Sequence, residues 1–327
     1  MIITASHIER AERRIRPKIL ETPLIHSQAL SDKTGAVIYL KLENRQHTGS
    51  FKARGAMNKV LNLKELQSDK PIITASTGNH GLGVARALQI AGLNGKIYIP
   101  ENASSAKVTS LKKYPVDLII HGSDSLETEL HAKAIAKEQG AAWISPYNDP
   151  DIIAGQGTVG LEIANQLKDI HAVYVTVGGG GLISGIATWF AEHLPHTEII
   201  GCLPENSPEM KMSIEAGRIV HLDKQKPTLS DGSAGGMEDG SITFPICQRI
   251  VRRYILVTED EIADAIARVY HFHQEKMEGS AGVAIAAMIK DGRRSNGKNI
   301  VVVICGGNIE ERLFDQILKE DSGKLAT

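Results

Sequence analysis

Short apolar runs rich in valine and isoleucine alternate with longer alanine-rich stretches of helical period along nearly the whole chain. Strands buried on both faces lose the inside–outside alternation and read as continuous apolar segments, so this pattern predicts parallel strands with helices on their faces. The runs that read as strands are Val37–Leu42, Pro71–Ala75, Lys96–Ile99, Asp117–His121, Ala142–Ile144, Ala172–Val177, Glu198–Leu203, Tyr254–Val257 and Asn299–Cys305. These are too many for one compact sheet. The expected fold is therefore α/β with two domains, each an open, mostly parallel twisted sheet flanked by helices.

The turn-rich segment Pro146-Tyr147-Asn148-Asp149-Pro150 separates the two strand groups and reads as a return crossing between domains. It divides the chain into a large domain of residues 1–50 and 146–327 and a small mobile domain of residues 51–145. Ser6, followed three residues later by Glu9, reads as a capping box opening a helix toward Ile15. Ser230 to Pro245 is a second long irregular stretch, the kind that carries function or moves, and the chain from Asp321 reads as frayed.

Charge and composition narrow the partners. Lys+Arg 37 against Asp+Glu 38 leaves a net charge of -1, so no global field draws the chain to nucleic acid or to an anionic membrane. Arg252-Arg253 and Arg293-Arg294 read as solvated faces. Cys202, Cys247 and Cys305 are odd in number and form no CxxC pair, which argues against a disulfide framework or a zinc site. No apolar run reaches membrane-spanning length and the N-terminus lacks a signal-like apolar core, so a soluble cytoplasmic protein is expected.

Four segments carry candidate chemistry. In Ser50-Phe51-Lys52-Ala53-Arg54-Gly55-Ala56 one lysine stands between an aromatic ring and a glycine. Held half-buried there, its pKa drops toward neutrality and the free amine can act as base or as nucleophile toward a carbonyl; alone, the same stretch also reads as a loop-to-helix junction with a solvated lysine. Gly178-Gly179-Gly180-Gly181-Leu182 follows an apolar strand and opens an alanine-rich helix, a nest for one phosphate or a tight turn. A dinucleotide fingerprint requires glycine at the sixth position, which here is Ile183 or Ser184, and no Walker lysine follows.

Ser76-Thr77-Gly78-Asn79-His80-Gly81 sets hydroxyl, amide and backbone donors at a helix N-terminus, where a carboxylate would be held or where an ordinary N-cap would serve. Cys305-Gly306-Gly307-Asn308 ends the last strand at the edge where open α/β sheets bind ligands, and Glu278 introduces another helix.

In this order the four motifs make the chain resemble the pyridoxal-phosphate enzymes of the threonine/serine dehydratase and serine racemase group, from about Thr22-Pro23-Leu24 to Cys305. The resemblance implies a tryptophan-synthase-β-like fold with the cofactor between the domains, and the large domain as the cofactor-binding one. It implies that Lys52 is the Schiff-base lysine and Phe51 the ring against the cofactor. Asn79 would meet the phenolic oxygen, Gly178, Gly179, Gly180, Gly181 and Leu182 the phosphate, Gly232 and Glu278 the ring, and Cys305 the pyridine nitrogen. Ser76, Thr77, Asn79 and His80 would hold the substrate carboxylate.

A thiol beside the ring nitrogen makes a weaker electron sink than an aspartate would, which suits elimination over transamination. The implied reaction is β-elimination from L-threonine, L-serine or a related β-hydroxy amino acid, giving a 2-oxo acid and ammonia. Racemisation is the alternative, with the Thr77 hydroxyl as the catalytic group on the second face of Cα. Ser230–Pro245 is similar to that of a subgroup linked to hydroxyectoine utilisation, which leaves 3-hydroxyaspartate among the substrates. Relatives with a divalent-cation site carry glutamate where this chain has Leu203, so only Glu205 and Glu209 remain as metal ligands. A homodimer acting on a free amino acid is expected.

Overall fold

The computed structural model describes residues 3–222, 224–291 and 296–325. Ten strands form two sheets: β1 Leu24–His26, β2 Val37–Leu42, β3 Ile72–Ala75, β4 Lys96–Ile99, β5 Asp117–Ile120, β6 Ala142–Trp143, β7 Ile170–Thr176, β8 Glu198–Pro204, β9 Arg253–Val257 and β10 Asn299–Ile304. The six-stranded sheet runs β1-β2-β10-β7-β8-β9, and the four-stranded sheet β5-β4-β3-β6. Every pairing is parallel except β1 with β2.

The β-branched run of β10 explains its place at the centre of the larger sheet. Ile300 to Ile304 are fully buried, and branched side chains on both faces pack well only between two helical layers. The main core gathers this strand with Ile38, Leu40, Val173, Val175, Ile186 and Ile285. A second cluster joins Ile15, Ala56, Met57, Val60, Ile72, Val84 and Leu88 on the side of the smaller sheet. The loops after β3, β7 and β10 all leave the carboxyl ends of parallel strands, and helices begin at Asn79 and Gly181 after the first two. Ligands of open α/β sheets bind at such ends.

Several expectations shift. The nine predicted strands form, but β1 is too short at three residues to show alternation, and its place on the edge comes from pairing with β2. The first helix, Ala5–Ile15, starts ahead of Ser6, and Thr4 is the cap, its Oγ1 lying 2.8 Å from His7 Nδ1. Burial decides this, because Ala5, Ile8, Ala11 and Ile15 form the buried stripe. Ser6 Oγ instead accepts from Arg10 at 3.0 Å.

Arg253 keeps a third of its side chain exposed, but its guanidinium is committed to Glu198 at 2.7 Å and Asp291 at 2.6 Å. Arg293 and Arg294 lie outside the described residues. The irregular stretch ends at Ile242, since Thr243–Ile250 is helical, and helix Glu311–Leu325 continues through Asp321. Among the described residues no helix is long and apolar enough to cross a membrane.

Candidate active site

Lys52 is the first residue of the helix Lys52–Glu65, and the segment before it is pinned to the end of β10. Phe51 N donates to Cys305 O at 3.0 Å, Gly307 N donates to Gly49 O at 2.9 Å, and Ser50 bridges Gly306 antiparallel. This short pairing brings Lys52 and Cys305 together although 253 positions separate them in sequence. Lys52 is half-buried; its Nζ donates to Pro146 O at 2.9 Å and sits 5.3 Å from the Phe51 ring centre. Burial lowers its pKa to about 8, with Cys305, Glu278 and Glu129 partly opposing the drop.

Behind it, Arg54 is fully buried and spans two carboxylates. It donates to Glu43 at 2.7 and 2.8 Å and to Glu162 at 2.7 and 2.8 Å. Burial alone would raise Glu162, but Arg54 and Lys41 hold it at about 2. Both partners of Arg54 lie outside the smaller sheet's segment, so the lysine-bearing turn is tied to the larger sheet's side. Gly55 makes the approach possible: a Cβ on it would lie 2.8 Å from Ile152 O, on the helix Pro150–Gln166.

The glycine loop sits between β7 and helix Gly181–His193. Gly180 has φ +85°, the left-handed region that favours glycine, and Thr243 Oγ1 donates to Gly179 O at 2.7 Å. Among the described residues the amides from Gly178 to Ile183 donate to no protein group; the next amides on either side, Val177 and Ser184, donate to Cys202 O and Gly180 O. Several free amides at a helix start form an anion site. Tyr147 covers this loop, so closely that a Cβ on Gly179 would fall 2.4 Å from its ring.

After β3, Ser76 Oγ accepts from Gly78 N at 3.1 Å, and helix Asn79–Ala91 begins with the amides of Asn79, His80 and Gly81 free of helical acceptors. Thr77 is half-buried beside them. The Nε2 of His80 is engaged within the protein, while its Nδ1 is buried without a protein partner among the described residues. Its Nε2 lies 3.0 Å from both Thr74 Oγ1 and Ile144 O, and burial together with Lys52 pushes its pKa down to about 3. What His80 can offer is its backbone amide and the unpartnered Nδ1.

Asn79 Nδ2 donates to Glu278, and Asn79 Oδ1 accepts from Asn308 Nδ2 at 2.6 Å. Gly232 also faces Glu278, since a Cβ there would lie 3.6 Å from Oε1. Burial raises the Glu278 carboxyl to about 7 and pushes the Cys305 thiol well above its usual range, so the thiol stays protonated. Glu205 is exposed, whereas Glu209 is buried and accepts from Ser207 at 2.6 Å; among the described residues no three acidic, His or Cys side chains converge on a metal position.

Tyr147 and Asn308 belong to the site and were not singled out in sequence. Asn308 sat in plain view at the end of its motif, while nothing local marks a tyrosine in a turn as the cover of a loop thirty residues on. The residues present fit pyridoxal phosphate: an amine near neutrality suits its aldehyde, and the free amides of the glycine loop suit its phosphate.

The protein-family model for pyridoxal-phosphate dependent enzymes matches residues 15–306. An L-threonine ammonia-lyase of Thermotoga maritima is 40% identical over 319 residues, 98% of this chain and 79% of the relative. The solved structure of the processed form of threonine deaminase isoform 2 from Solanum lycopersicum has a TM-score of 0.89 at 35% identity, covering 98% of this chain and 96% of that one. Maize serine racemase has a TM-score of 0.90 at 30% identity, covering 100% of both chains. The likeness thus takes in both sheets and every strand end that bears a candidate group, and the chain belongs to the family of pyridoxal-phosphate-dependent enzymes.

Proposed function

We propose that this protein deaminates L-threonine, L-serine or a related small β-hydroxy amino acid through β-elimination of water and hydrolysis of the resulting enamine, releasing a 2-oxo acid and ammonia. The observation that carries the reading is the pairing of the lysine turn with the end of β10, Phe51 N donating to Cys305 O at 3.0 Å, which sets the Lys52 amine near the thiol where burial lowers the amine's pKa to about 8 and raises the thiol's. Pyridoxal phosphate, when bound, supplies an aldehyde that condenses with an amine and a ring that withdraws electrons from Cα. The free amides of the glycine loop would hold its phosphate, and Phe51, Gly232 and Glu278 would border its ring.

Ser76, Thr77 and the first-turn amides of helix Asn79–Ala91 orient the substrate carboxylate. Lys52 takes the Cα proton; that proton and the β-hydroxyl leave as water, and the enamine product takes up water to give the 2-oxo acid and ammonia. A neutral thiol cannot keep a proton on the ring nitrogen as a carboxylate could, which favours expulsion of the β-substituent. The likeness to a serine racemase supports racemisation as the second reading, with Thr77 as the opposite acid.

Residues 1–50 and 146–327 form, in this reading, the cofactor-binding lobe, and residues 51–145 the mobile one. Lys107 pairs with Asp231 at 3.3 Å and Lys133 pairs with Glu238, contacts that closure of the cleft would make and opening would break. Three free, buried thiols support a cytoplasmic setting, and an apolar groove of about 560 Å³ containing Ile219, Ile242 and Phe244 supports a homodimer.

The deciding experiment follows 2-oxo acid formation from a panel of hydroxy amino acids together with chiral chromatography of the residual substrate. 2-Oxo acid outpacing the D-isomer is expected. D-serine accumulating faster than pyruvate would establish the racemase instead.

A further inference from the structure

The side chain of Asn79 joins the lysine turn to the end of β10. Gly83, four residues on along helix Asn79–Ala91 and so on the same face, packs against that turn so closely that a Cβ on it would lie 3.0 Å from Lys52 O. On the other side Glu278 is pressed against Gly306, the residue after Cys305, where a Cβ would fall 2.5 Å from Oε1. The Asn79 amide, bonded to Glu278, stands between the two.

A carboxyl that titrates near neutrality can meet either end of an amide, accepting from the nitrogen when ionised and donating to the oxygen when protonated. Glu278 is such a group, so its contact at 2.9 Å does not by itself decide which way the Asn79 amide turns. Asn308 decides it. Its Nδ2 donates to Thr48 O at 2.8 Å, and a backbone carbonyl only accepts, so nitrogen and oxygen cannot trade places there. The same nitrogen donates to Asn79 Oδ1 at 2.6 Å, which leaves Asn79 Nδ2 as the end turned to Glu278.

The two N–H bonds of an amide diverge far more widely than the two oxygens of one carboxylate seen from the same nitrogen, so a single N–H serves both contacts with Glu278. The other N–H of Asn79 has no acceptor among the described residues.

We propose that Asn308 is a positioning residue for the cofactor: by taking up Asn79 Oδ1 it holds the Asn79 amide in the orientation that offers an N–H, and not a carbonyl oxygen, to the acidic ring oxygen of pyridoxal phosphate. The inference rests on the cofactor part of the reading above and is independent of the choice between elimination and racemisation. A donor at that place favours the ionised ring oxygen, whereas a carbonyl there favours the protonated one.

The test reconstitutes the apoprotein with pyridoxal phosphate and reads two quantities, the cofactor's dissociation constant and its absorbance, which is visible when the ring oxygen is ionised and near-ultraviolet when it is protonated. Asn308 is exposed, so neither Asn308→Asp nor Asn308→Ala opens a cavity, and both lose the bond to Thr48 O. An ionised aspartate only accepts and should turn the Asn79 amide round, lowering the ratio of visible to near-ultraviolet absorbance by about fivefold or more and raising the dissociation constant about tenfold. Asn308→Ala removes the contact without reversing it, and should keep both quantities within about threefold of the parent. In an Asn79→Ala background Asn308→Asp should change either by no more than about twofold, which separates action through Asn79 from a direct effect of the new charge.

Equal effects of the two Asn308 substitutions, an unmoved absorbance ratio in Asn308→Asp, or the full effect of Asn308→Asp persisting without Asn79 would each overturn the positioning role and leave the cofactor assignment standing. A parent protein that gives no borohydride-trapped adduct on Lys52 overturns the cofactor assignment itself, and this inference with it.

Discussion

Asn79 Nδ2 lies 2.9 Å from both carboxylate oxygens of Glu278, joining the first residue of a helix beside the smaller sheet to the residue that precedes helix Gly279–Asp291 beside the larger one. The contact spans the cleft with a neutral amide, which satisfies the carboxylate's acceptors without supplying a compensating charge. Desolvation therefore wins, and Glu278 titrates near neutrality.

That shift makes stability depend on pH. Glu278 moves from an ordinary value of 4.5 to about 7 in the folded protein, so between those pH values the folded state binds more protons than the unfolded one. The stability it contributes is fully present below 4.5 and lost as pH rises through about 7, a change of roughly 3 kcal/mol. Urea unfolding of the cofactor-free protein across this range should show parent stability falling relative to Glu278→Gln as pH rises. Parallel curves for the two proteins would show that Glu278 titrates normally.

Lys52 titrates in the opposite sense. Its amine is depressed to about 8, so the rate at which cofactor-free protein captures pyridoxal phosphate should climb about tenfold per pH unit below that value and level off above it. Stopped-flow absorbance reads this directly. Lys52→Ala should fold, fail to form the covalent adduct trapped by borohydride, and lose lyase activity; normal turnover in that variant would sink the assignment.

Gly179→Ala tests the phosphate loop. A methyl there falls 2.4 Å from the Tyr147 ring, so either the ring or the loop must move. Cofactor affinity should drop by at least about tenfold while the circular dichroism of the apoprotein is retained, since the strain is confined to the loop and its cover. An unchanged dissociation constant would mean that these amides do not meet the phosphate.

Arg54 supports Lys52 from behind. Arg54→Met leaves Glu43 and Glu162 facing one another without their shared cation, with Glu43 fully buried and Glu162 nearly so. Removing one partner of a buried ionic cluster costs about 3–5 kcal/mol, and the first turn of the lysine helix should loosen with it. Chemical denaturation would report the loss, and a red- or blue-shifted cofactor band in the surviving holoenzyme would report the displaced lysine. Parent-like stability would show that the network is dispensable.

The strands and the glycine loop were legible because their signals are local. The branched run at Ile300–Ile304, the four glycines after Val177 and the lysine beside Phe51 are each marked by residue types within a few positions, and burial on both sheet faces leaves a continuous apolar trace that needs no knowledge of what lies opposite. The helix start at Thr4 was misread as Ser6 because both positions carry a hydroxyl with a plausible partner three residues on. Only the buried stripe of Ala5, Ile8 and Ala11, and the bond from Ala5 N to Glu192 at 2.9 Å, choose between them.

What the tertiary structure decided is how distant segments spend their polar groups. The amino-acid sequence by itself determined the α/β class, the amine, the glycine nest and the family likeness. It could not tell that Ile144 O and Thr74 Oγ1 both lie 3.0 Å from His80 Nε2, or that Tyr147 lies on Gly179. Those outcomes follow from sheet order and from which strand ends meet. A hydrogen bond formed across dozens of residues leaves no periodic trace in the chain, so its donors become known only once the fold has brought their acceptors to them.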